Sequence, residues 1–130
     1  MNPKILVCIT PQSNSARLID SAAAAAAERG GELHILHIEK GNNVFRTADS
    51  PILLQQLFEY GAERGGVVHA LCGENIPGVI VGFVQTEAIT SVVFGEPPAT
   101  PDGRPTIVDS IRAALPRTEV VIVRREEVSV

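Results

Sequence analysis

Residues 4–31 read KILVCITPQSNSARLIDSAAAAAAERGG, and the order of apolar and polar residues in this stretch decides the fold. An apolar run, Ile5 to Ile9, ends at Thr10-Pro11 and a polar turn, Gln12-Ser13-Asn14-Ser15. An alanine-rich helix follows and stops at Gly30-Gly31. A strand that feeds a polar loop capping a helix is the opening unit of an open parallel α/β sheet. In such sheets the first loop borders a ligand crevice at the C-terminal ends of the strands.

Outward from this unit, further apolar runs predict strands at Glu32–Ile38, Val67–Leu71, Ser91–Gly95 and Glu119–Val123, with the first at Ile5–Thr10. They are rich in Val, Ile and Leu without polar alternation, as suits strands covered on both faces by helices. Helices are expected at Ser15–Arg29, Pro51–Arg64, Pro77–Ala88 and Thr106–Leu115. Ser13 or Ser15 is placed to cap the first, and Asp49 or Ser50 precedes the first-turn proline of the second. Gly30-Gly31 and Gly65-Gly66 stop those two helices. Strands alternating with helices imply right-handed crossovers and a parallel sheet. The stretch GVIVGFV at residues 78–84 also reads as a strand, because glycine and β-branched residues disfavour helix. Helix is preferred there, since a parallel connection between the third and fourth strands needs a crossover.

The chain has 130 residues, enough for one domain (1–130) with a sizeable core. Its hydrophobic fraction of 45% and charged fraction of 20% are ordinary for a globular protein. A net charge of -4 without a long basic run argues against nucleic-acid binding. No apolar segment reaches the roughly 18 residues of a membrane span. The N-terminus runs straight into a core strand with no visible signal peptide, so a cytoplasmic protein is expected.

The three histidines make no metal site. His34 and His37 fall three apart on one strand and point to opposite faces, and zinc needs three or four convergent ligands. Thr10, Ser13 and Ser15 have no His partner for nucleophilic catalysis, so the expectation is a binding protein and not an enzyme. The least favoured option, catalysis, would need His37 or His69 brought near Glu39. The polar loop suits anion binding, because its hydroxyls and the free N–H groups of the helix start face outward at the strand's end. Simple capping explains either serine equally well. Two loops, Glu39–Ser50 and Glu96–Pro105, exceed the usual two to six residues, which marks them for function or mobility. Arg104, in the second, is placed to meet a phosphate or water.

The run ILVCITPQSNSARLID, the alanine-rich helix, Gly-Gly and ELHILHIE together resemble the universal stress protein family. The likeness is nearest to the branch found in Kdp-type potassium-sensing histidine kinases, and Ser91–Gly95 and Val120–Val123 resemble that family's last two strands. The resemblance implies a single-domain α/β fold: an open five-stranded parallel sheet in the order 3-2-1-4-5, with helices on both faces. In that order a whole strand separates Cys8 from Cys72, which lies just past the third strand, putting their backbones about 9–10 Å apart. Both thiols are then free, with buried packing as their expected role.

Nucleotide-binding relatives carry an Asp at the end of strand one and G-x2-G-x9-G-[ST] after strand four. Here Thr10 stands near the Asp position, Pro98 replaces the second glycine, no Gly-Ser follows, and Glu96 opposes a phosphate. Domains of the potassium-sensor branch bind cyclic di-AMP through a serine pair and an F-T-A-x-Y segment. Ser13-Asn14-Ser15 resembles the first element, and Phe45-Arg46-Thr47-Ala48 loosely resembles the second. The resemblance therefore implies a non-catalytic sensor of an adenine nucleotide, whether cyclic di-AMP, AMP or ATP. The expected site gathers Thr10, Pro11, Ser13, Asn14 and Ser15 after strand one and Glu39, Phe45 and Arg46 after strand two. Gly95 and Arg104 face them from beyond strand four. The resemblance also implies a homodimer through the last strand, Glu119–Val123. The alternative is a dimeric interaction module of the same fold with no ligand.

Overall fold

A computed structural model describes residues 2–9, 15–40, 50–96, 102–103 and 105–124. The strands are β1 (Lys4–Cys8), β2 (Glu32–Lys40), β3 (Val67–Gly73), β4 (Ser91–Gly95) and β5 (Glu119–Val123). The helices between them are α1 (Ser15–Arg29), α2 (Ser50–Glu63), α3 (Ile76–Glu87) and α4 (Ile107–Ala114). All strand pairs are parallel, in the order β3-β2-β1-β4-β5.

Alternation along each strand divides the core in two. Ile5, Val7 and Ile9 of the first strand and its exit, with Leu33 and Ile35, pack beneath Ile19, Ala22 and Ala26 of α1 and Leu54 and Leu57 of α2. Leu6, Leu36, Val92 and Phe94 pack on the opposite face against Ile80 and Val84 of α3 and Val108 and Ile111 of α4. β1 lies in the middle of the sheet, and Ile5, Leu6 and Val7 are fully buried. The sequence 78–84 is helical: Asn75 caps α3 by accepting the Gly78 N–H at 3.1 Å, and the helix ends on Ala88 in a left-handed conformation. Its apolar side chains close one face of the sheet, and that burial outweighs the poor helix propensity of its valines.

Gly30, with φ of 66°, ends α1 where a residue with a Cβ would be strained. At the N-terminal ends of the strands, the Arg29 guanidinium donates to Ser91 Oγ at 3.0 Å and to Glu119 at 2.7 Å, tying α1 to β4 and β5. The Glu119 carboxyl is held below its usual range by the bond it accepts from Arg29 and by a second from the Ser91 hydroxyl at 2.8 Å.

Three expectations need correction. β1 ends at Cys8, not Thr10, although Ile9 still donates its N–H to the Leu36 carbonyl at 2.9 Å. β2 and β3 run longer than their apolar cores, pairing Glu39 with Cys72 and Lys40 with Gly73. Glu39 is therefore a strand residue, not a loop residue. Cys72 lies inside β3 and is exposed, because β3 is an outermost strand. Both thiols are free, and only Cys8 takes the expected packing role.

Candidate functional site

The chain order reverses around β1: α1 carries the chain from β1 to β2 on one side, and α3 brings it to β4 on the other. Because helices cannot fill both faces where the direction of winding changes, a crevice opens outside the strand ends there. By that rule the exits of β1 and β4 are where a crevice is expected in this sheet. Its walls are close: a Cβ built on Gly95, the last residue of β4, would lie 3.4 Å from Leu18 Cδ1 in the first turn of α1. That is ordinary van der Waals contact, so the first turn of α1 lies directly beside the end of β4.

Of the expected site residues, Ser15, Glu39 and Gly95 are described, and all three sit at this end of the sheet. Thr10, Pro11, Ser13, Asn14, Phe45, Arg46 and Arg104 lie outside the described residues. Ser15 does not present an outward hydroxyl. It is 2% exposed and heads the stripe Ser15, Ile19, Ala22, Ala26 by which α1 packs on the sheet. Glu39 is half-buried and is held from within its own strand: its Oε2 stands 3.2 Å from Nε2 of His37. The other nitrogen of His37, Nδ1, stands 3.1 Å from the carbonyl oxygen of Ile9. Beyond Gly95, the Glu96 N–H donates to the Val123 carbonyl at 3.0 Å, so that amide serves the sheet rather than a phosphate.

His34 and His37 occupy opposite faces, as their spacing requires. His34 stacks on His69 of β3, with Nδ1 and Nε2 of the two rings 3.1 Å apart. Among the described residues no group of three His, Cys, Asp or Glu side chains could hold a metal ion. The linkage of His37 to both Ile9 and Glu39 was the part of the site least apparent beforehand. The pattern His-x-Glu does place both side chains on one strand face, but nothing in it points to a backbone carbonyl across the sheet.

A second concavity, of about 430 Å³, separates the N-termini of α3 and α4. Both helix starts are already satisfied. Asn75 caps one, while Thr106 and Asp109 form a reciprocal capping box at the other, with bonds of 3.3 and 2.9 Å. The carboxylate of Glu74, which lines it, opposes an anion there. The crevice beside β1 is the better candidate.

The family profile described as Universal stress protein family matches residues 1–98. No curated protein sequence matches the chain. Among solved structures it is similar to a universal stress protein from Archaeoglobus fulgidus, at TM-score 0.71 and 18% identity over 94% of this chain and 93% of that one. It is similar to a universal stress protein in complex with cAMP, at TM-score 0.69 and 18% identity over 95% of this chain and 97% of that one. A further Archaeoglobus fulgidus structure, in complex with dAMP, is similar at TM-score 0.58 and 17% identity, over 95% and 97% of the two chains. At these identities the likeness to the solved structures is one of fold.

Proposed function

Because the chain belongs to the universal stress protein family, we propose that it is a non-catalytic, cytoplasmic sensor that binds an adenine nucleotide in the crevice at the exits of β1, β2 and β4. The observation that supports this reading is the reversal of strand order at β1, which sets Gly95 and the first turn of α1 side by side at the strand exits. Two proteins of similar fold are universal stress proteins in complex with cAMP and dAMP, which supports an adenosine monophosphate unit as the ligand. In this reading the hydroxyl of Ser13, the aromatic ring of Phe45 and the cations of Arg46 and Arg104 are of the chemical types that a phosphate and a base would need, and all four lie outside the described residues. The likeness to the potassium-sensor branch makes cyclic di-AMP the preferred ligand. It carries two adenosine monophosphate units, and it does not require the triphosphate turn that Pro98 and Glu96 disrupt.

Calorimetric titration with AMP, ATP and cyclic di-AMP tests the reading. The expected result is binding of cyclic di-AMP or AMP ahead of ATP, with stabilisation of about 2.7 kcal/mol at a ligand excess of a hundred times Kd. Absence of heat and of thermal shift with all three would overturn it. A nucleotidase assay on pure protein is expected to release no phosphate.

A dimeric interaction module without ligand is the second reading. It is favoured by β5, an outermost strand whose Val120, Val121, Ile122 and Val123 are only half-buried. Under either reading the chain is a homodimer through Glu119–Val123.

A further inference from the structure

β3 is an outermost strand, and among the described residues no strand pairs with its outer side. Edge strands are ordinarily guarded by a charged side chain, a proline or a bulge, because their free N–H and C=O groups template further pairing. β3 has none of these guards. Val67–Gly73 reads VVHALCG, with no charged residue and no proline, and its register with β2 runs unbroken from Val67 to Gly73. On the α3 side of the strand Val67 is 48% and Leu71 37% exposed, with His69 between them. Phe83 of α3 meets His69 edge-on at 4.7 Å and is itself half-buried, so the helix forms an apolar wall beside the strand. On the other side Ala70 and Cys72 are exposed.

The charge around this edge is one-sided where the strand begins. Glu63 closes α2 and is exposed, the Glu32 side chain at the start of β2 is 50% exposed, and Glu87 at the end of α3 is near enough to act on His69. Of the cations at that end, Arg64 is engaged by Asp20 at 3.0 Å and lies over the Tyr60 ring, and Lys4 donates to the Glu87 carbonyl. The carboxylates outnumber them. Past the far end stands Glu74, exposed, with Lys40 of β2 opposite Gly73 in the register. A second copy is a poor occupant of such an edge. Antiparallel pairing of two β3 strands about a two-fold axis would bring Glu74 of one copy toward Glu63 and Glu87 of the other, and like charges oppose pairing. With β5 assigned above to the homodimer, pairing at β3 as well would extend the sheet without limit.

We propose that the outer edge of β3 is a docking site for an extended segment of another protein, apolar at alternate positions and flanked by lysine or arginine, which adds to the sheet beside β3. Backbone bonds to β3 supply the affinity, and Val67, Leu71 and Phe83 receive the alternate apolar side chains. The acidic end of the edge selects the basic flank. The nucleotide reading is not needed for it.

The test uses the full chain and a synthetic peptide, acetyl-KVTVTVK-amide. Acetyl-EVTVTVE-amide reverses its flanking charge, and acetyl-KVPPTVK-amide carries adjacent prolines, one of which must face β3 without an N–H. Titration is followed by backbone nitrogen-15 resonances and by the rate at which a thiol reagent modifies Cys72. We expect the basic peptide to shift the signals of Val67–Gly73, to leave those of Glu119–Val123 in place, and to slow modification of Cys72. The acidic peptide should bind about fivefold more weakly, the scale of exposed charge pairs. The proline peptide should not bind. Leu71→Glu should weaken the basic peptide about tenfold through lost apolar contact, although it adds a charge that favours it. If that variant does not fold, the proline peptide decides on the unaltered protein. Shifts at β5 in place of β3, equal binding of the acidic or proline peptide, or no binding of the basic peptide at millimolar concentration overturns the proposal. Protection of Cys72 that grows with protein concentration alone gives the edge to a second copy and overturns it too.

Discussion

His34 and His69 stand with one nitrogen of each ring 3.1 Å apart, and Phe83 meets His69 edge-on at 4.7 Å. One ring must donate and the other accept, so a proton added to the accepting nitrogen breaks the pair. The second nitrogen of His34, Nε2, is buried without a hydrogen-bond partner, and Glu32 is 3.5 Å away. Burial and the neighbouring His34 push His69 below the usual histidine range, with Glu87 opposing them. The unfolded chain therefore takes up a proton at a higher pH than the folded one does. Stability from this site is full above the ordinary histidine pKa and is lost as pH falls from there toward the depressed folded value. Thermal melts at about pH 7.5 and pH 5.5 are expected to show a lower Tm at the acid value, and His69→Gln is expected to reduce the difference. An undiminished difference in that variant would place the pH dependence elsewhere. The cysteines make a second residue-scale contrast. Burial pushes the Cys8 thiol up to about 12, whereas Cys72 is exposed. A thiol reagent at neutral pH should modify one cysteine rapidly and the other only on unfolding, and Cys72→Ser should abolish the rapid phase.

At the scale of elements, packing overrides propensity at one helical glycine and leaves propensity in charge at another. Gly61 of α2 lies against Ile35 of β2, leaving no room for a Cβ beside the Ile35 Cδ1 methyl. Ile35 is fully buried and cannot swing into solvent. Gly61→Ala is therefore expected to destabilise by about 1–3 kcal/mol in urea unfolding, despite alanine's better helix propensity. Gly82 of α3 has open space where its Cβ would be, so Gly82→Ala should stabilise by roughly 0.5–1 kcal/mol. Reversal of either sign would mean that these helices sit differently on the sheet. The capping box of α4 gives a simpler expectation: Thr106→Ala should cost about 1 kcal/mol. The glycines also show what was readable in advance. Gly30 and Gly65 mark helix ends in the sequence and adopt positive φ, while Gly61 looks like any helix-weakening glycine until β2 lies beneath it. α3 was legible through topology alone, since its composition argues for a strand and only the need for a crossover argues for a helix. The ends of β2 and β3 were not legible. Glu39, Lys40 and Gly73 carry no strand signal of their own and are held by pairing with each other's strand.

For the whole molecule, the sheet order was accessible from the alternation of elements and the family resemblance, whereas the surroundings of individual residues at the strand exits were not. Ser15 illustrates why: a serine after a strand looks like a ligand hydroxyl, but helical phase puts it on the buried stripe with Ile19. The homodimer proposed above would form through one of the two outermost strands, β3 or β5. Both expose apolar side chains, with Val67 48% and Leu71 37% exposed on β3, and β5 half-buried from Val120 to Val123. Among the described residues no further strand pairs with either edge, and an edge strand is a place where a second copy can add. β5 is the expected contact, because its four consecutive β-branched residues remain half-covered on both faces and suit continued pairing. The Cys72 thiol distinguishes the edges in the unaltered protein. Sedimentation over a range of concentrations should show the 13.8 kDa chain giving way to a species of about twice that mass. Across the same range, Cys72 on β3 should keep its full reactivity. Protection of Cys72 in step with the doubling of mass would assign the contact to β3, and a monomer at every concentration would exclude pairing at both edges.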